Sequence, residues 1–595
     1  MKISVTARAA SRISLQMLVH QIRRQLRNRV APRIASAYGA RLEKQSVQLP
    51  PLSAPDAVPT GLAGFIGAYY EADAHAPDNA ARGRFTLLGE TVDFGAIEAI
   101  DWYHRLAREN DHHLWRMKLC QCEVIHSLVA RGDPAHHATA LALIDRFEQA
   151  ASFSHPDAFK GMWSPYGASH RILAMLSGLA LAKPQTLAPE LDARLRAFIR
   201  RDAAFVLDNV EHDLRNNHTE RNLAALCLYG IAAGGLPADL AAQLDRAVSA
   251  IVGDTVLPDG MQIERSAMYQ GLTVMSLRIF AEAPFLSPRT RALAAKSATA
   301  AARAWAFMTH DDGEIALFND SWTEEVPPAG AILGTVATDA ALPAILPDAG
   351  YARLRADRFS LWLDAGAIGP SWNPGHGHAD FLSIELDVEG RRLIVDPGTA
   401  QYSTGADRSF ERSAASHNGP RFIDQEPVEY LGCFKVGRMN SARLLDPDEL
   451  QGLAPDAVGG ALTMPEGSVR RIATHLPGSG LMIADHWSSV APGSVRLLIP
   501  ADWDIEDESP SAIRFRQDHV HILFRALRGR FAPIATGRWC RRYMRPEAAH
   551  VLTLQPEMEC DGQGAILLIG DGTQPSAGAV ERVARACAGR APARA

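Results

Sequence analysis

Long apolar runs are missing from this chain. No stretch of 18 apolar residues occurs, so nothing reads as a membrane-spanning helix. An excess of basic charge is missing too: the formal net charge is −6, which leaves no global positive field to hold nucleic acid. Cysteine is sparse. The seven residues Cys120, Cys122, Cys227, Cys433, Cys540, Cys560 and Cys587 are odd in number and follow no framework spacing, which points to buried thiols. Cys120 and Cys122 have no second pair nearby, so a cysteine zinc site is not indicated. A fixed-period repeat is also absent. The first 32 residues are basic and weakly amphipathic but lack an uninterrupted apolar core, which predicts a surface helix rather than a targeting segment. A helix lying on an anionic membrane is the second reading of that segment.

What is present is two patterns in succession. Residues 35–90 mix Pro, Gly and short apolar runs and predict irregular, wrapping structure with little helix. From about residue 94, apolar residues recur at spacings of three and four, and helical blocks follow near 136–152, 166–182, 188–208, 219–234, 236–251, 266–283 and 288–309. A run of antiparallel helices with no strands between them closes as a bundle, a solenoid or an α/α toroid. After about residue 320 the pattern changes. FSLWLDAGAIG (359–369), FLSIELDV (381–388) and RRLIVD (391–396) read as strands, the last two joined at Glu389-Gly390 as a hairpin. Further short strands without helices between them predict a sandwich of two packed sheets.

Three segments carry chemistry. In NPGHGHADFLSIELDVEGRRLIVDPGTAQY (373–402), His376, His378 and Asp380 form an H-x-H-x-D string, Asp396 closes the returning strand, and His417 follows in SHNG. Imidazoles with a carboxylate suit zinc, which accepts both. There is a geometric tension: a two-residue turn at Glu389-Gly390 pairs Asp396 with Ser383 and leaves His378 ~17 Å along the strand with opposite parity. A shared metal therefore requires the 373–380 segment to curl back, or a bulge. The second segment, RNNHTERN (215–222), places Asn216, Asn217 and His218 at a helix start, as either a polar cap or a cleft-facing amide and imidazole. The third, LPDGMQIERSAMYQG (257–271), carries Glu264 and a helical Tyr269.

Together, and with WSPYGASHRI (163–172) and LFND (317–320), these segments resemble the heparinase II/III-like polysaccharide lyases over roughly residues 85–425. The resemblance implies an incomplete α/α toroid followed by a C-terminal antiparallel β-sandwich. Together with the patterns read along the chain, this gives an N-terminal basic helix and wrapping segment (1–90), a toroid (91–322), a linker (323–350), a sandwich (351–575) and a tail (576–595), the tail a short frayed helix or disordered. The resemblance also implies β-elimination on a uronate-containing acidic polysaccharide. Asn217 and His218 resemble the pair that neutralises the uronate carboxylate, Tyr269 the catalytic tyrosine and His376 the catalytic imidazole. Asn216, Glu264 and Tyr402 are expected at the substrate. His378, Asp396 and His417 resemble the ligands of a structural zinc.

Two other functions fit the same residues. One is a zinc hydrolase using His376, His378 and Asp380 to activate water. The other is a non-catalytic polysaccharide binder. Arg171, Arg221, Arg265, Arg408 and Arg412 are available to meet carboxylates or sulfates, or serve as structural arginines. A polymeric substrate suggests the cell envelope or periplasm, whereas the missing apolar leader suggests the cytoplasm.

Overall fold

The computed structural model describes residues 2–52, 57–71, 73–182, 187–334, 342–465 and 467–589. Helices occupy the first half and antiparallel strands the second. Among the described residues no helix is long and apolar enough to cross a membrane.

The helical layer sorts itself by sequence. Pro165–Leu181, Asn217–Ala232 and Ala267–Glu282 are apolar on nearly every side and are buried almost throughout. Pro134–Ala150, Pro189–Asp208, Ala238–Thr255 and Pro288–Phe307 carry one apolar face and keep the other in solvent. All-round apolar helices belong inside and amphipathic ones outside, which gives an inner and an outer layer. Each inner helix begins at a side-chain cap: Ser164 accepts from Gly167 N, Asn216 from His218 N, and Ser266 from Tyr269 N. These caps fix where the inner helices start and so place Tyr166, Asn217, His218 and Tyr269 in their first turns.

The strands form three principal sheets, of nine, five and five strands, with one apolar core shared by all three. The five-stranded sheet that contains Tyr351–Ala356, Phe359–Asp364, Ile384–Val388 and Arg391–Ile394 is covered on both faces. Leu361, Leu363, Ile384, Leu386 and Val388 enter the sheet core. Their alternating neighbours Trp362, Glu385 and Asp387 point to the helical half, where Trp362 Nε1 donates to Phe307 O and His310 is held between Glu385 and Asp387. The period-2 alternation of a strand thus joins the two halves of the molecule.

Several expectations need correction. Residues 35–90 are not irregular. They hold helices Ala35–Gln48, Thr60–Gly67 and Ala76–Ala81 and the hairpin Arg84–Leu87/Glu90–Asp93. Conversely, the helical period read from residue 94 is realised only from Leu114, and the helix breaks at Cys122, whose φ is 51°. The tail forms an ordered helix, Ala577–Cys587, which packs Val583 and Cys587 on the outside of the nine-stranded sheet. Part of the 323–350 linker, residues 335–341, and the last residues of the tail, 590–595, lie outside the described residues. The hairpin at Glu389-Gly390 forms, but with a bulge that moves the partner of Leu386 to Ile394.

Candidate active site

The site lies where the inner helix starts meet the 317–323 and 373–380 segments of the chain. Glu264 is the centre of its helical wall. Its carboxylate accepts from Asn217 N (3.1 Å), Asn217 Nδ2 (2.8 Å), Gln262 Nε2 (2.8 Å) and Asn216 Nδ2 (3.3 Å). Donors on Glu264 fix the amide of Asn217, because a flipped amide would set oxygen against carboxylate. The freed Asn217 Oδ1 is buried without a partner. Both ends of Asn216 are engaged, one as the helix cap and one on Glu264. Asn216 and Glu264 are therefore positioning groups here rather than the ligand-facing groups expected from sequence.

His218 stands at the mouth. Its Nδ1 lies 3.3 Å from Glu211 Oε1, and its ring lies 4.3 Å from that of Tyr166. Burial pushes the Glu211 carboxyl up, but His218 and the nearby Arg24 and Arg27 outweigh it and hold the group below its usual range. An ionised Glu211 orients His218 so that Nε2 is left for a ligand.

Asp320 is the centre of the opposite wall. Both of its oxygens are engaged by Arg408, at 2.5 and 2.7 Å. His376 Nδ1 lies 2.8 Å from Oδ2 and His378 Nε2 2.9 Å from Oδ1. Burial opposes the charge, but Arg408 and the two imidazoles overcome it and hold Asp320 well below the carboxylate range. His376 then meets the phenols: Tyr269 OH lies 3.4 Å from its Nδ1 and 3.1 Å from Tyr402 OH. The two walls touch where His376 Nε2 comes within 3.8 Å of Glu264 Oε1. Asn217, His218, Tyr269, His376 and Tyr402 are thus gathered in one place. Burial pushes the Tyr269 and Tyr402 phenols well above their usual value, with nearby Asp320 adding to the effect.

His378 faces away from this cleft. The bulge and the curled 373–380 segment bring its ring 5.3 Å from that of His417, resolving the register problem. His417 Nδ1 lies 2.8 Å from Asp396 Oδ2. The other nitrogens, His378 Nδ1 and His417 Nε2, are buried and have no hydrogen-bond partner. Each imidazole therefore has one nitrogen held by a carboxylate and one free, the arrangement that orients metal-bound histidines. Burial lowers the His378 pKa to about 3, which keeps that ring neutral as ligation requires. The two free nitrogens are what these residues would offer a zinc ion, and Asp396, expected from sequence as a third ligand, instead orients His417. The set is looser than His486, Glu559 and Asp561, whose ligand atoms all lie within 4.8 Å of one another. His376 and His378 divide between the two oxygens of Asp320, and Asp380 Oδ2 instead accepts from Asn319 N. The H-x-H-x-D string therefore does not converge on one point.

All five arginines named from sequence are internal: Arg171 pairs with Asp202, Arg408 with Asp320, and Arg221, Arg265 and Arg412 donate to backbone carbonyls. Sequence reasoning missed Asp320, Tyr166 and the anchoring role of Arg408. Asp320 and Tyr166 sit inside LFND and WSPYGASHRI, and the Ser164-Pro165 cap before an all-apolar helix was the available sign for Tyr166.

Residues 339–575 match the family described as Heparinase II/III-like, C-terminal. The chain superposes on a heparan sulfate lyase HepC mutant from Pedobacter heparinus with a TM-score of 0.55, at 16% identity over 91% of this chain and 90% of that one. It superposes on heparinase III with a TM-score of 0.60, at 15% identity over 80% of each chain. No curated protein sequence matches it. Residues 339–575 thus match the heparinase II/III-like C-terminal family, and the chain as a whole has the helical-then-sheet fold of the heparinases.

Proposed function

We propose that this chain is a polysaccharide lyase that cleaves a uronate-containing acidic polysaccharide by β-elimination. The observation that carries this reading is the convergence of an amide–imidazole pair, two phenols and an Asp320-backed imidazole on one cleft. The likeness to a heparan sulfate lyase and to heparinase III supports it.

The C5 proton of a uronate is weakly acidic because the adjacent carboxylate is already negative. His218 and the second Nδ2 hydrogen of Asn217, whose first is held by Glu264, hydrogen-bond that carboxylate, and the N-termini of the inner helices add their positive ends. His376 has Nδ1 tied to Asp320, so Nε2 takes the C5 proton. The C–H electron pair forms the C4=C5 bond, and the C4–O4 bond breaks. Tyr269, whose burial keeps its proton on, donates that proton to the departing O4. Once the product leaves, Nε2 gives its proton to solvent and the Tyr269 phenolate takes one back from solvent, which restores both groups. Tyr402 holds the Tyr269 hydroxyl in place.

A zinc ion bound by His378 and His417 would brace the segment that carries His376. Elemental analysis of the purified chain should find about one zinc per chain, and His417→Ala should abolish it. A polymeric acidic substrate is the one argument for a place in the cell envelope or periplasm.

The test is incubation with heparin-like, alginate-like and other uronate polymers, followed in the ultraviolet. A lyase leaves an unsaturated, absorbing sugar, whereas a hydrolase leaves none. Binding of a polymer without new absorbance from any of them would replace this reading with that of a non-catalytic binder.

A further inference from the structure

The helix α1 spans Lys2–Ala10, α2 Leu15–Val30 and α3 Ala35–Gln48. α2 is built inside out. At 100° per residue, Leu15, Leu18, Val19, Ile22, Leu26 and Val30 fall within an arc of about 120°. A stripe of this width normally faces the protein. Here all six are exposed, Leu15 by 77% and Leu26 by 52%. The side toward the protein is polar. Arg24 pairs with Asp213 (2.5 Å), Arg27 Nη1 donates to Asn209 Oδ1 (2.6 Å), and the His20 ring lies 4.9 Å from His212. Met17 is the one buried residue of the helix.

Charge points to what covers the stripe. The first 42 residues contain nine Lys and Arg and no Asp or Glu, in a chain of net charge −6. Arg23 is exposed at the edge of the stripe, and Arg29 and Arg33 are exposed at its C-terminal end. An apolar stripe bordered by exposed arginines is what an interfacial helix presents to lipid. A second copy seated on the same face would set arginine against arginine with no acid of the segment to offset them.

We propose that α2 seats this protein on an anionic lipid bilayer, with the stripe in the headgroup–acyl boundary and Arg23, Arg29 and Arg33 on the lipid phosphates. The helix, ~24 Å long, lies flat on the surface. Its neighbours give the seat a direction. α1 stands on the hairpin Val428–Met439, through Arg8 on Glu429 (2.8 Å) and Val5 over Gly437. That hairpin carries Phe434, whose ring lies 5.4 Å from His376. α2 stands on residues 209–213, which include the Glu211 that holds His218. The strap α1–α2 therefore lies between the bilayer and the rim of the cleft. This docking stands whether or not the cleft is catalytic.

The test is co-flotation of the full chain with vesicles of phosphatidylcholine alone and of phosphatidylcholine with about 30% phosphatidylglycerol. Binding to the anionic vesicles, weakened by salt, is expected. Leu18→Glu/Ile22→Glu/Leu26→Glu should weaken it by ~100-fold or more, because it removes the buried apolar area. Arg29→Glu/Arg33→Glu should weaken it roughly tenfold and leave the thermal melt unchanged. Circular dichroism of both variants checks that they fold. Failure of the wild-type chain to float with anionic vesicles overturns the proposal, as does equal flotation of the folded triple variant. A wild-type dimer that the triple variant converts to a monomer, without vesicle binding by either, also overturns it and assigns the face to a second copy.

Discussion

Asp320, at the join between the helical and sheet halves, and Glu220, inside the inner helix Asn217–Ala232, are both fully buried carboxylates set in very different surroundings. Asp320 has a bidentate arginine and two imidazoles on its two oxygens, and it stays ionised far below its usual range. Glu220 receives Thr273 Oγ1 at 3.0 Å and Thr255 Oγ1 at 3.5 Å on one oxygen, while its Oε1 has no hydrogen-bond partner and Arg221 acts only at a distance. Burial then dominates, and its pKa rises to about 7. Desolvation is common to the two groups. Donor count and charge of the partners decide the outcome. The comparison separates a carboxylate that organises a site from one that is tolerated in a core.

Asp320→Asn should break the first half of this comparison most severely. It leaves Arg408 buried without its counter-charge, at a cost of about 3–5 kcal/mol in denaturant unfolding, and it releases His376 as well, so activity should vanish. Tyr269→Phe removes the proton donor but no charge. A ~10³-fold fall in kcat with little change in the melting temperature is expected from steady-state kinetics. Asn217→Ala should cost ~10²-fold in kcat, because one preorganised donor to the uronate carboxylate is lost. Equal activity of Asn217→Ala and wild type would show that the Glu264-centred wall does not face the reacting sugar.

The smallest effect concerns Glu220. Folding raises its pKa from 4.5 to about 7, so between those values the folded chain binds more protons than the unfolded one. The Glu220 contribution to stability is therefore complete below about pH 4.5 and is lost as pH rises to about 7. Glu220→Gln should remove that slope and raise stability at pH 8 by at most a few kcal/mol. A pH–stability profile unchanged by the substitution would show that Thr273 and Arg221 suffice to keep Glu220 ionised.

The order of the two halves was legible because it rests on local periodicity. The blocks 188–208 and 288–309 fall within about two residues of the observed helices, since the amphipathic pattern and the caps are written in neighbouring residues. Residues 35–90 were misread because Gly39, Gly61 and Gly64 are accommodated within short helices and Pro77 stands in the first turn of one, so Pro and Gly there do not mark irregular chain. Likewise, the apolar spacing of 94–113 serves packing against Trp115 and Phe147 rather than a helix.

The sequence by itself determined which residue types were available to the site, namely amides, imidazoles and phenols at capped helix starts and in the 373–402 segment. Which of them work together was decided by contacts between residues far apart in the chain. Asp320 joins His376, His378 and Arg408 across up to 88 positions, and Glu264 joins Asn216 and Asn217 across 48 and 47. No local pattern encodes such pairings, because a buried carboxylate is defined by the donors that reach it after folding and not by its neighbours in sequence.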